Sequence, residues 1–142
     1  AGIAPDPALI GEAGLWHRAD GAEAMHRLLD SGTEIDAVFG LNDALALGAM
    51  HALHVRRVSV PDEVAVIGFD DIDEARYASP PMSSVSPGRE EIATTAVRLL
   101  QARIAARGEG WTPTSVVAGF EIVVRESTGR AGAGSDLRAR TL

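Results

Sequence analysis

Few side chains in this sequence are suited to chemistry, and the most isolated is Asn42, the only asparagine, which separates the apolar run at 36–41 from an apolar helical stretch over 43–55. An amide both donates and accepts hydrogen bonds, as a polyhydroxylated ligand requires. Asparagine is equally a preferred helix N-cap, and the two readings are compatible. Asp70 closes a second apolar run at 64–69. Its carboxylate would complement the amide, with a turn or cap role in the cluster Asp70-Asp71-Ile72-Asp73 as the competing reading. Trp16 offers an indole that either packs on an apolar sugar face or closes the edge of a core.

Other chemistries find no footing. Cysteine is absent, which removes disulfides, thiolate metal sites and cysteine nucleophiles together. His51 and His54 share a helix face but lack a third ligand at a metal-binding spacing, so they read as surface or interface residues. Hard cations need about six oxygen ligands in the calcium case, more than the Asp70 cluster supplies. No nucleophile elbow, phosphate-cradling loop or dinucleotide fingerprint occurs. We therefore expect neither an enzyme nor a bound cofactor or metal.

The elements that must position these residues follow from periodicity. Asp20 and Glu23 have capping-box spacing, and Met25, Leu28 and Leu29 mark one helical face ending at Ser31-Gly32. Residues 37–39 and 64–69 read as buried strands on either side of the helix over 43–55, giving a βαβ unit. Near-continuous apolar strands belong to parallel sheets covered on both faces, so the fold class is α/β. Residues 83–85 suggest a further short strand. A helix over 87–106 turns Ile92, Ala96, Leu99, Leu100 and Ile104 inward and stops at Gly108 and Gly110. Residues 115–117 and 121–124 are β-prone, Trp111 reads as core or surface cover, and the end from Gly129 is expected to be a flexible tail. Two confident strands are few beside the five or so of an ordinary sheet, which points to part of a larger domain.

The helical stretch over 44–50 is apolar all round, where a surface helix needs a polar face. It must be covered twice, either within the chain or by the sheet on one side and a second subunit on the other. Small Gly48 and Ala49 permit close approach, and we read this as self-association. All 13 basic residues are arginine and the formal net charge is −7, which argues against these residues wrapping nucleic acid. No apolar run approaches the roughly 20 residues needed to cross a bilayer, and no leader pattern opens the sequence, so no membrane partner and a cytoplasmic location are expected.

Several motifs resemble one family when taken together. They are Asp36-Ala37-Val38-Phe39-Gly40-Leu41-Asn42-Asp43-Ala44-Leu45-Ala46-Leu47-Gly48, Val60-Pro61-Asp62-Glu63-Val64-Ala65-Val66-Ile67-Gly68-Phe69-Asp70-Asp71-Ile72, Pro80-Pro81-Met82-Ser83-Ser84-Val85 and Val123-Val124-Arg125-Glu126-Ser127-Thr128. Their order and spacing resemble the effector domain of LacI/GalR-type bacterial transcriptional regulators, over residues 5–128. The resemblance implies a periplasmic-binding-protein-like type I fold, incomplete here, with helices on both faces of a parallel sheet. Residues 1–83 would form part of the C-terminal subdomain, 84–128 the hinge crossover and elements of the N-terminal subdomain, and 129–142 the tail.

That resemblance implies ligand-binding roles for Asn42, Asp70 and Trp16, a small-molecule effector such as a sugar, and operator DNA contacted only through a helix-turn-helix domain outside these residues. It also implies a homodimer, for which Ala46, Met50 and Leu53 on the apolar helix are the interface candidates. Two departures stand out: Pro87 occupies the place of a frequent effector-contacting glutamine, and Leu15 replaces an often acidic residue. The alternative within the same fold is a periplasmic-type sugar-binding protein of an ABC transporter.

Overall fold

A computed structural model describes residues 4–106 and 112–129. Trp111, Gly108, Gly110 and the tail from residue 130 lie outside the described residues. A 3-10 turn at Pro7–Leu9 leads to helix α1 (Arg18–Asp30), strand β1 (Ala37–Phe39), helix α2 (Asp43–Val55), strand β2 (Ala65–Phe69), short helix α3 (Asp73–Arg76) and strand β3 (Ser83–Ser86). Helix α4 (Arg89–Ala105), strand β4 (Glu121–Val123) and a 3-10 turn at Glu126–Thr128 complete the order. The strands form one sheet in the order β1-β2-β3-β4, parallel between the first three and antiparallel at β4. The division after residue 83 that the family resemblance implies falls inside β3.

The α/β class and the βαβ unit are as expected, and α2 has the bounds read from the sequence. Helix α1 starts earlier than the capping-box reading placed it. Its N-cap is His17, and Asp20 is the third helical residue, accepting at 2.8 Å from the His17 backbone N–H. The capping chemistry was right and its register was wrong: Asp20 is the acidic half of the box rather than its first member. No strand forms over 115–117, where Val117 is 92% exposed.

Helix α4 forms, but among the described residues nothing buries the inward face assigned to it. None of its residues is buried, and Ile92, Leu100 and Ile104 are exposed. Among the described residues the segment 114–120 lies along it, leaving an open groove against Ile92, Thr95, Ala96 and Leu99. An extended segment is too narrow to cover a helical stripe that spans more than 100° of arc.

The core sits instead around α2. Met25, Ala46, Ala49, Met50, Ala52, Leu53, Val64, Val66, Ala75 and Met82 form one buried cluster. Ala46, Met50 and Leu53, expected at a subunit interface, are 0%, 7% and 0% exposed within this chain alone, so they present no surface to a second copy. The partner that covers the second side of α2 is α1. A Cβ added at Gly48 would collide with the Arg18 carbonyl, and one added at Gly21 with the Leu45 carbonyl. The two helices thus meet backbone to backbone, and the small residues that suggested close approach of a subunit serve this intrachain contact. His51 and His54 are on the exposed remainder of α2.

Gly48→Val should therefore force α1 away from α2 and lower stability by about 2–3 kcal/mol or more. Urea denaturation checks this through a lower midpoint with an unchanged slope; a wild-type midpoint would show that the helices have room to spare.

Candidate functional site

Asn42 caps α2. Its Oδ1 accepts from the Leu45 N–H at 2.8 Å, and its Nδ2 donates to the Trp16 carbonyl at 3.2 Å. The amide therefore fixes both the helix start and the preceding loop, and keeps one N–H and one lone pair uncommitted. Trp16 takes φ 63°, a conformation rare for a bulky residue, and its side chain is 48% exposed. Its indole lines a groove between α1 and β1 whose lining includes neither Asn42 nor Asp70. Asn42 and Trp16 are thus joined through a backbone carbonyl.

Asp70 directly follows β2 at φ 109°, and Asp71 follows at φ 48°. Two successive non-glycine residues at positive φ cost about 1–3 kcal/mol each, and such strain collects at functional sites. The Asp70 backbone is held by its N–H donating to the Val85 carbonyl at 2.9 Å. Among the described residues nothing donates to its carboxylate, which leaves a half-buried acceptor at the carboxyl end of β2. Asn42 lies at the matching end of β1, three positions past Phe39, where ligands of open α/β sheets bind.

A buried polar network supports this edge, and sequence reading assigned none of it. Asp43, fully buried, accepts at 2.6 Å from the Ser84 hydroxyl and at 2.8 Å from the Ile72 N–H. Ser84 Oγ accepts in turn from the Asp71 N–H at 3.0 Å. The Asp71 carboxylate pairs with Arg125 at 2.5 Å, and Arg125 also donates to the Met82 carbonyl at 2.7 Å. Ser127 donates to the Val66 carbonyl and accepts from the Ser83 N–H, pinning the last turn beneath β2 and β3. Gly68 makes room, since a Cβ there would collide with the Asp43 carboxylate. Asp43 was read only as a charge suited to a helix N-terminus. The available signal was a carboxylate wedged into an apolar run, one residue after Asn42 and with a glycine in the facing strand.

Burial raises the Asp43 pKa above its ordinary 3.8, with the negative charges of Asp70 and Asp71 adding to the effect, against the lowering influence of the Ser84 and Ile72 hydrogen bonds. No group of three or more potential metal ligands occurs among the described residues. The Ser84 hydroxyl beside the Asp43 carboxylate is buried within this network, and the Asn42 amide and the Asp70 carboxylate are the groups with hydrogen-bonding capacity left over.

Residues 2–128 match the family described as periplasmic binding protein-like domain. The chain is 37% identical over 127 residues to the HTH-type transcriptional regulator CelR of Thermobifida fusca, covering 89% of this chain and 36% of that protein. It is 50% identical over 84 residues to the HTH-type transcriptional regulator AscG of Escherichia coli, covering 59% of this chain and 25% of that one. A solved LacI-family regulator from Sanguibacter keddieii superimposes with a TM-score of 0.86 at 48% identity, covering 91% of this chain and 49% of that structure. A CelR–cellobiose complex superimposes at 0.80 with 36% identity, covering 89% and 38%. The chain thus spans a quarter to about half of the length of these relatives.

Two outcomes test the network. Arg125→Met should cost about 3–5 kcal/mol by stranding the Asp71 charge, and adding Asp71→Asn should recover part of that loss in a double-mutant cycle. An acid whose folded pKa is raised makes stability fall as pH rises from the unfolded to the folded value. The stability advantage of the wild type over Asp43→Asn should therefore shrink as pH climbs from below 3.8, and an advantage that grows instead would contradict the raised pKa of Asp43.

Proposed function

The chain belongs to the periplasmic binding protein-like family of LacI-type transcriptional regulators, and on that premise we propose that it is the effector-sensing part of such a regulator. The single observation carrying this reading is the Asp70 carboxylate, carried on a backbone at positive φ and accepting no hydrogen bond among the described residues, at the same sheet edge as the half-committed amide of Asn42. A carboxylate and an amide suit the hydroxyl groups of a sugar, and the solved CelR relative is a complex with cellobiose. Trp16, tied to Asn42 through its carbonyl, flanks the site.

In this reading residues 1–83 belong to the C-terminal subdomain and 84–128 return across the hinge, with effector binding changing how the subdomains sit. Effector must bind the two arrangements unequally for the signal to pass. Operator DNA is contacted through a helix-turn-helix domain outside these residues, the regulator acts as a cytoplasmic homodimer, and no chemistry is catalysed. Ala46, Met50 and Leu53 are buried within the chain, so in this reading other residues make the dimer contact. No helix among the described residues is long and apolar enough to cross a membrane.

The test is titration calorimetry of the full-length regulator with a sugar panel that begins with cellobiose. Asp70→Ala should weaken binding of the responding sugar by about 1.5–3 kcal/mol, and Asn42→Ala by about 1 kcal/mol beyond any change in fold stability. Wild-type affinity in both variants would remove the proposed site.

A further inference from the structure

The Asp70 carboxylate accepts no hydrogen bond among the described residues, so its backbone alone sets where it points. That backbone is held at φ 109° in Asp70 and 48° in Asp71. Non-glycine residues keep such angles only where neighbouring contacts over-determine them. Relaxation of either angle would re-aim the carboxylate, so whatever holds Asp71 also decides what Asp70 can reach.

Backbone bonds hold one side of this loop. The Asp70 N–H donates to the Val85 carbonyl at 2.9 Å, the Asp71 N–H to Ser84 Oγ at 3.0 Å and the Ile72 N–H to Asp43 at 2.8 Å. The grip on the other side comes from a side chain, Arg125, whose Nη2 donates to the Asp71 carboxylate at 2.5 Å. Arg125 comes to this contact already fixed. Its Nη1 donates to the Met82 carbonyl and its backbone N–H to Ser83 Oγ, both at 2.7 Å. The pair is nearly enclosed, with side chains 12% and 8% exposed, so the guanidinium has little left to offer a ligand.

Anchoring the end of the chain does not require this guanidinium. Ser127 donates to the Val66 carbonyl at 2.6 Å and accepts from the Ser83 N–H at 2.8 Å, and β4 pairs with β3 through its backbone. A buried ion pair is also a weak source of stability, because well-packed apolar residues of similar size often serve as well. What Arg125 adds is direction: a planar fork that fixes the Met82 carbonyl and the Asp71 carboxylate at one separation. We propose that Arg125 is a positioning residue for the effector site. Acting through Asp71, it holds Asp70 at the angle from which its carboxylate meets the ligand, and so raises affinity without touching the ligand. The inference rests on the effector reading of Asp70 given above.

Titration calorimetry of the full-length regulator with cellobiose, glucose, galactose, maltose and ribose tests this in a cycle with Asp70. The paired change Asp71→Asn with Arg125→Met removes both charges and strands neither. It should weaken binding of the responding sugar about 10-fold or more, but less than about 2-fold once Asp70 is alanine, because residues that act through one another are not additive. Arg125→Lys keeps a charge beside Asp71 without the fork, and should show the same pattern at about 3–10-fold even if the paired variant does not fold. A purely structural role moves the urea midpoint and leaves the affinity of the folded protein unchanged. Wild-type affinity in either folded variant therefore overturns the proposal, as does an equal loss with and without the Asp70 carboxylate. If no sugar of the panel binds, or Asp70→Ala alone binds as the wild type does, the effector reading has failed and this inference falls with it. A clear loss in Asp70→Ala beside wild-type affinity in the Arg125 variants removes the positioning role alone.

Discussion

Everything around the candidate site depends on one buried carboxylate. Asp43 receives hydrogen bonds from β3 through Ser84 and from the start of α3 through Ile72, while its own backbone opens α2. Three elements are thereby tied at one point, and no buried side-chain polar atom among the described residues is left without a partner. A buried charge is tolerated only when such bonds surround it, because desolvation costs several kcal/mol and is repaid only by good geometry. The space for it comes from Gly68, whose missing side chain leaves β2 concave at that position.

From that point the rest of the site follows in short steps. Ser84 passes the constraint to the Asp71 backbone, and Asp71 passes it to Arg125, so the return segment and the loop after β2 are clamped together. The clamp holds Asp71 at φ 48° and fixes the adjoining Asp70 at φ 109°. Strain of this kind persists only where surrounding contacts over-determine it. Asn42, one residue before Asp43, shares the same anchorage, so its amide caps α2 and still keeps one N–H and one lone pair uncommitted.

Sheet and helices share a second dependence, on close backbone approach. Gly21 and Gly48 let α1 and α2 meet more tightly than any side chain allows, and this burial absorbs the apolar circumference of α2. The error about Ala46, Met50 and Leu53 has this origin. An all-apolar helix announces that it must be covered, and periodicity does not say by what. The same limit explains α4, whose stripe of Ile92, Leu100 and Ile104 was legible as amphipathic while the surface to meet it is not built by the described residues.

By itself the sequence determined the local units: the strands read at 37–39 and 64–69, the second observed at 65–69, helix α2 from its asparagine cap to Val55, and the positions of Asn42 and Asp70 at matching strand ends. These follow from short-range rules, since periodicity and capping act within one or two turns. The motif order was enough to identify the family. Tertiary structure alone decided which surfaces meet. The Asp71–Arg125 pair spans 54 residues and the Ser127–Val66 bond 61, and no local pattern encodes a contact at that separation. It also decided that α1 rather than a second subunit covers α2, and that β1 is the end strand of the sheet among the described residues, because a strand's neighbours are set by how distant segments pack and not by its own residues.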